Sequence, residues 1–346
     1  MTHKWLMITI LWSLVLSGCY VSSQAAGQFR LWSKRTSVKE AIEAETTSKT
    51  VKEKLLWLEK ILEFAAQNGL ETKNAYSKYI ELEGSSVTFL VQARKPEEFK
   101  LKTWWFPFVG TVPYLGFFSR ADRDEEAKNL RLKGFEVHEG SAQAFSSLGW
   151  FSDPIYSSML RQSDEDFAHL IFHELTHLTA WIKGNVEFNE NFAEFVADEM
   201  LPRFLEVQGR LDVLSKQKSR KDDLVNFRQW LRDLKKSLQE LHEADKSVDK
   251  SVWKAQSGEI LDLAVKAKPN FDEFDYVGSR PWTVTRVLAS SLYSPNTTAF
   301  QKVFECMKPK NMGEFARTLK KELERSDTPE EFLMNYCQTG SQFEKN

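Results

Sequence analysis

The sequence predicts an α+β fold in which a small sheet supports one central helix and further helices follow towards the C-terminus. Three observations predict it. Runs rich in β-branched and aromatic residues lie in the first half, at 85–93 and 102–118. A capped, apolar-faced segment from Ser163 carries His173-Glu174-Leu175-Thr176-His177. Beyond it, most stretches repeat apolar residues at helical spacing.

Taken in order, residues 1–19 read as a targeting segment outside the fold. His3 and Lys4 precede an apolar run from Trp5 to Leu16, too short to span as a mature helix, and Leu16-Ser17-Gly18-Cys19 closes it. Small residues before a cysteine resemble the bacterial lipobox, which implies that Cys19 is the lipidated first residue of the mature protein. The plainer reading is a secretory signal in which Cys19 is incidental. Tyr20, rather than Asp, follows Cys19. In a Gram-negative cell the lipobox resemblance then implies an outer-membrane anchor facing the periplasm. The expected organisation is a signal peptide over 1–19 and one folded domain over 20–346, with a helical insertion or lid at about 204–266.

Residues 37–68 predict a helix with Val51, Leu55, Leu58, Ile61, Leu62 and Ala65 on one face and Gly69 as its stop. Ser85 to Ala93 reads as a strand, and Lys102 to Phe118 as short strands and turns packed on a core. Asp122 to Lys133, ended by Gly134, is a short helix, and Phe135 to His138 a strand, so a β–α–β passage leads towards the central helix. Ala144 to Pro154 is a strand or loop before that helix, where an edge can align an extended peptide by strand addition. Glu187 to Leu201 is a second amphipathic helix, stopped or kinked by Pro202. Residues 204–266 form a charged helical hairpin, Pro269 to Pro281 a loop, and 283–292, 297–307, 312–324 and 328–337 short helices.

The chain carries 47 basic and 49 acidic residues, a net charge of −2, with the signs interspersed. That balance gives no basic surface for nucleic acid. Cys306 and Cys337 suit a disulfide in an oxidising compartment, and neither has a second Cys or His at ligand spacing.

The chemistry centres on the middle helix. Ser163 is placed to cap it towards Asp166, and Asp164, Glu165 and Asp166 set negative charge on its first turn, where the helix dipole favours it. Gly184 is its expected stop. His173 and His177 stand one turn apart and can grip one metal ion from the same face. Glu174 is turned by about 100° from His173, beside the metal, where a general base belongs. A catalytic zinc takes three protein ligands and keeps one position open.

Glu190, at the start of the next helix, is the expected third ligand, with Glu194 one turn on as the acceptor for the other ring N–H of a ligating histidine. The alternative is Glu194 as ligand with Asp198 behind it. His169 and His177 are held about 12 Å apart on a straight helix, so His169 cannot join them on one zinc and is expected to pack or hydrogen-bond.

The Asn189-Glu190-x-x-x-Glu194 arrangement after H-E-x-x-H resembles the gluzincin peptidases, with Glu in place of the usual final Asp and a shorter separation. A longer series is more specific: Pro113 to Phe118, Leu132 to Val137, Ser146 to Pro154, Ile171 to His177 and Phe188 to Ala193. In this order they are similar to the bacterial "putative aminopeptidase" family, whose members are zinc-peptidase-like and often carry lipoprotein signals. The likeness departs at Leu115, where that family has a basic residue, and in the 280–295 region. It implies a zincin-like metallopeptidase domain holding Zn(2+) on His173, His177 and Glu190. Glu174 would activate a zinc-bound water to hydrolyse a peptide or protein substrate, as an aminopeptidase.

An oxyanion partner is expected from a downstream tyrosine, Tyr293 ahead of Tyr276, since a tyrosine recurs in the family's C-terminal portion. A free amine would need an anionic pocket, for which Glu187, Asp272, Glu273 and Asp275 are candidates. The competing expectations are an envelope endopeptidase and a non-enzymatic scaffold or assembly factor on the same fold.

Overall fold

A computed structural model describes residues 33–73, 75–82, 87–106, 110–142, 154–183, 185–244, 250–269, 281–292 and 297–324, with Leu333 and Tyr336. The architecture is α+β and dominated by helices, with two three-stranded sheets and a separate hairpin. The strand-poor sequence leads to an expectation of one small sheet; the described residues form two three-stranded ones, because their short strands sit on different helical partners.

The expected helix over 37–68 is two helices, α1 (Val38–Glu43) and α2 (Lys49–Gln67). Ser37 and Glu40 form a reciprocal capping box at 3.0 and 2.9 Å, and Ser48 accepts from the Val51 N–H at 3.3 Å. The second cap restarts the helix after the turn at 44–48. On α2 the face of Leu55, Leu58, Ile61 and Phe64 is buried. Gly69, at φ 80°, ends the run and lets the Leu70 N–H reach back to the Ala65 carbonyl at 3.0 Å.

In the first sheet, β1 (Thr36–Ser37) is antiparallel to β2 (Lys78–Ile80), which lies parallel to β8 (Ile155–Tyr156). The second sheet has β3 (Thr88–Arg94) at its centre, antiparallel to β6 (Leu115–Phe117) and β7 (Glu136–Ala142). Helix α3 (Arg120–Leu132) connects β6 to β7 and seats Ala127 and Leu130 on Val91, Ala93, Leu115 and Phe117. The β–α–β passage is therefore present, its two strands parallel to each other with β3 between them. The hairpin pairs β4 (Trp104–Phe106) with β5 (Gly110–Val112).

The main core gathers around α4 (Asp164–Thr179) and α5 (Val186–Val207). Phe64, Phe172 and Phe204 meet with ring centroids 5.3–6.0 Å apart. Pro202 does not stop α5, which runs through it to Val207. Ending there would withdraw Phe204 and Leu205, both fully buried, from the core. Their burial is worth about 1.5–3 kcal/mol each, which offsets the roughly 3 kcal/mol that an interior proline costs.

Within the stretch read as a charged hairpin or lid over 204–266, residues 204–207 complete α5, while α6 (Leu211–Ala244) and α7 (Lys250–Lys266) pack together and, with α8 (Val284–Ser291), enclose a second core. Leu231, Leu234, Leu238, Trp253, Leu261 and Trp282 are buried in it. It is joined to the second sheet by Glu136, which takes Arg94 at 3.1 Å and the Thr285 N–H at 2.6 Å. Helices α9 (Thr298–Met307) and α10 (Met312–Leu323) pack Phe300 and Phe315 on Phe192 of α5. Cys306, on α9, is disulfide-bonded; the other cysteines of the chain, Cys19 and Cys337, lie outside the described residues. So do residues 143–153, with most of the expected strand or loop before the central helix, and nearly all of 328–337. No helix among the described residues is long and apolar enough to cross a membrane.

Candidate metal centre

Helix α4 is anchored at its first turn. The Ser163 hydroxyl accepts from the Asp166 N–H at 3.0 Å. Asp164 binds Lys54 at 2.5 Å and Arg210 at 3.2 Å, and its carbonyl accepts from the Trp57 indole at 3.1 Å. Burial alone would raise the Asp164 pKa, but the hydrogen bonds and charge of Lys54 and Arg210 hold it below the usual carboxylate range.

The helix ends at Thr179, before the expected stop at Gly184, with Ala180 already extended. Thr179 explains part of this: its hydroxyl donates to the Leu175 carbonyl at 2.7 Å and accepts from the Glu71 N–H at 2.8 Å. Asn189 explains the rest. Its amide accepts from the Ile182 N–H at 2.9 Å and donates to the carbonyls of Ile182 and Asn185, each at 2.8 Å. These bonds give the turn partners that a continuing helix would have supplied. They also bring the start of α5 against α4, which puts Glu190 beside the histidines.

Three side chains converge there. Nε2 of His173 and Nε2 of His177 are 3.1 Å apart. The Glu190 carboxylate lies 3.2 Å from the first and 3.6 Å from the second. Zinc bonds of 2.0–2.1 Å in a tetrahedron separate neighbouring ligand atoms by roughly 3.3 Å, so two imidazole nitrogens and a carboxylate at these distances fit such an ion. Imidazole and carboxylate are also the donor types that zinc accepts in catalytic sites.

The surroundings concentrate negative charge. Burial would pull the His173 imidazole down, but hydrogen bonds to Glu190 and Glu194 and the charge of Glu174 push it up to about 10. Burial would raise Glu190, and His173 and His177 bring it down to about 2. The field that favours a proton here favours a divalent cation for the same reason.

Behind the centre, Glu194 Oε2 faces His173 Nδ1 at 3.4 Å. This is the position from which a carboxylate fixes the tautomer and leaves Nε2 free to bind. His169 does not reach the cluster; its Nε2 meets Asp198 at 3.1 Å and stands 4.0 Å from Glu194. His169, Glu194 and Asp198 form a second group with the composition of a cation site. Glu174 is half-buried, and its Oε2 is enclosed with no hydrogen-bond partner among the described residues.

Nothing in its local sequence singles out Tyr114 as a site residue, yet burial and then the negative charge of Glu190 push its phenol above the ordinary value. Tyr114 directly precedes the edge strand β6, and its inclusion in the Pro113–Phe118 match was the signal that marked this segment. Tyr293 and Tyr276 lie outside the described residues, as do Asp272, Glu273 and Asp275. Glu187 is exposed on the first turn of α5.

The fold and the site together define a helix-rich α+β protein with histidine and carboxylate groups able to hold a metal ion. The chain belongs to the family described as "Putative aminopeptidase", which it matches over residues 19–332. That membership supports peptidase activity. Comparison with curated proteins and with solved structures gave no match.

Proposed function

We propose that the protein is a zinc-dependent peptidase, acting as an aminopeptidase, whose centre is His173, His177 and Glu190. The observation that carries this reading is the convergence of those three donors at 3.1–3.6 Å, with Glu174 next to His173 on the helix and its charge acting on that imidazole. Zinc held by this set supplies Lewis acidity, acidifying a water and polarising a carbonyl.

Glu174 then has a defined task. Its carboxylate takes one proton from the attacking water and returns it to the amine that leaves, so the carboxylate is regenerated and the peptide bond gains one water. Glu194 keeps His173 oriented. The oxyanion partner in this reading is a tyrosine: Tyr293 by sequence, with Tyr114, whose phenol feels the charge of Glu190, as the candidate among the described residues. A zincin-like, gluzincin class follows from the H-E-x-x-H pair completed by a glutamate. The same reading includes a lipid anchor at Cys19, facing the periplasm in a Gram-negative cell, supported by Leu16-Ser17-Gly18-Cys19.

The test is hydrolysis of a peptide library by purified protein with one zinc per chain, against Glu174→Gln. Loss of cleavage with zinc retained is the expected result. Cleavage unaffected by Glu174→Gln would sink the mechanism, and bound zinc without any cleavage would favour a scaffold. Cleavage of substrates with blocked N-termini would make the enzyme an endopeptidase.

A further inference from the structure

Helix α6 starts on the main core, where Val213 is buried, and further along sends Leu231, Leu234 and Leu238 into the second core. Arg228 lies between these two stretches. Its side chain, 11% exposed, leaves the hairpin and pairs through Nη2 with Oε1 of Glu194, which is 15% exposed. The other oxygen of that carboxylate is the one that faces His173 Nδ1 at 3.4 Å. One carboxylate is thus held between a guanidinium from the hairpin and the outer nitrogen of a histidine in the cluster.

The alternative occupant of this place is a second metal ion on His169, Glu194 and Asp198. The guanidinium argues against it. Glu194 Oε1 is the atom that lies 4.0 Å from His169, and it is also the atom engaged by Arg228. A divalent ion there would share its carboxylate oxygen with a fixed positive charge a few ångströms away, in a partly buried place where screening is reduced. Removing Arg228, in contrast, would leave a mostly buried carboxylate short of its cation.

We infer that Arg228 is a positioning residue for the metal centre: it stands where a second cation would otherwise sit and aims Glu194 at His173. The hairpin is thereby coupled to metal affinity. This rests on the reading of His173, His177 and Glu190 as ligands. Through Glu194, the guanidinium selects the His173 tautomer that leaves Nε2 available: its Nη2 holds Oε1, which leaves Oε2 turned to His173 Nδ1, and a lysine would supply the charge but not the same reach.

The experiment is a Zn2+ titration of the full chain in competition with a chromophoric chelator, with circular dichroism to check folding. Wild type is expected to bind one zinc. Arg228→Met should weaken binding by about 10-fold, the lower end of the range for groups that orient metal-ligating histidines. Arg228→Lys should recover part of that loss, and Arg232→Met, an exposed change one turn along α6, should have no effect. In a Glu194→Gln background Arg228→Met should cost nothing further, since it acts through Glu194.

Should Arg228→Met fail to fold, Arg228→Lys takes its place in both backgrounds, with a smaller loss expected in the first and none in the second. Wild-type affinity in a folded Arg228 variant, additive losses with Glu194→Gln, or a second zinc on wild type would each overturn this inference while leaving the metal centre intact. A wild-type chain that binds no zinc would overturn both.

Discussion

The Asn189 side chain closes on both backbone groups of Ile182, accepting from its N–H at 2.9 Å and donating to its carbonyl at 2.8 Å. With Asn189 only 1% exposed, this clamp sits inside the protein between the two helices of the site. It ties the end of one helix to the residue next to Glu190. Asn189→Ala would leave buried polar groups unpaired at about 1–3 kcal/mol each. A stability loss of several kcal/mol in urea unfolding, with weaker zinc binding, is expected. A small loss with unchanged zinc affinity would show that packing alone sets the turn.

Glu174→Gln keeps the shape of the side chain and removes the base. Zinc content should be unchanged while kcat falls by about 10²–10⁴-fold, the range for a general acid–base residue. Single-turnover assays with metal analysis of the same samples check it.

Tyr114→Phe removes a phenol that feels the charge of Glu190. If that phenol meets the developing oxyanion, kcat should drop by about 10²–10³-fold with zinc content and KM little changed. An unchanged kcat would assign Tyr114 to packing.

Glu136 makes acid stability testable. Burial would raise its carboxyl pKa, but Arg94 and Thr285 lower it below 4.5. A carboxyl whose folded pKa is depressed contributes fully above its unfolded value, and that contribution is lost as pH falls towards the folded one. Stability should therefore decline below about pH 4.5. Glu136→Gln should be less stable at neutral pH and show a flatter acid limb in Tm measurements. Parallel limbs for the two proteins would remove Glu136 from the account.

Gly313 lies directly on Gly69, where a Cβ would come 1.9 Å from the Gly69 carbonyl oxygen. The two glycines let α10 dock on the end of α2, with the Gly313 N–H donating to the Asn68 carbonyl at 2.9 Å. Gly313→Ala must push backbone against backbone and should cost about 3 kcal/mol or more, the upper end for overpacking. A Tm within a degree of wild type would contradict this close approach.

What could be read in the sequence was local. Ser163, the acidic first turn and the apolar face determine α4, because caps and a 3.6-residue period act over one or two turns. The four-residue step from His173 to His177 determines that they share a face. The β-branched run determines β3. The break between α1 and α2 and the continuation through Pro202 were not legible. Each depends on a balance between a local preference and burial supplied by distant residues, such as Phe64 and Phe172 around Phe204.

The H-E-x-x-H helix by itself determined two histidines and a carboxylate beside them. Only the tertiary structure decided that Asn189 folds the chain back and that Glu190 meets both histidines. It also decided that Glu194 is shared between His173 and Arg228. Arg228 is 34 residues from Glu194. No helical or strand period relates positions so far apart, and the packing of α6 on α5 is what brings them within hydrogen-bond reach.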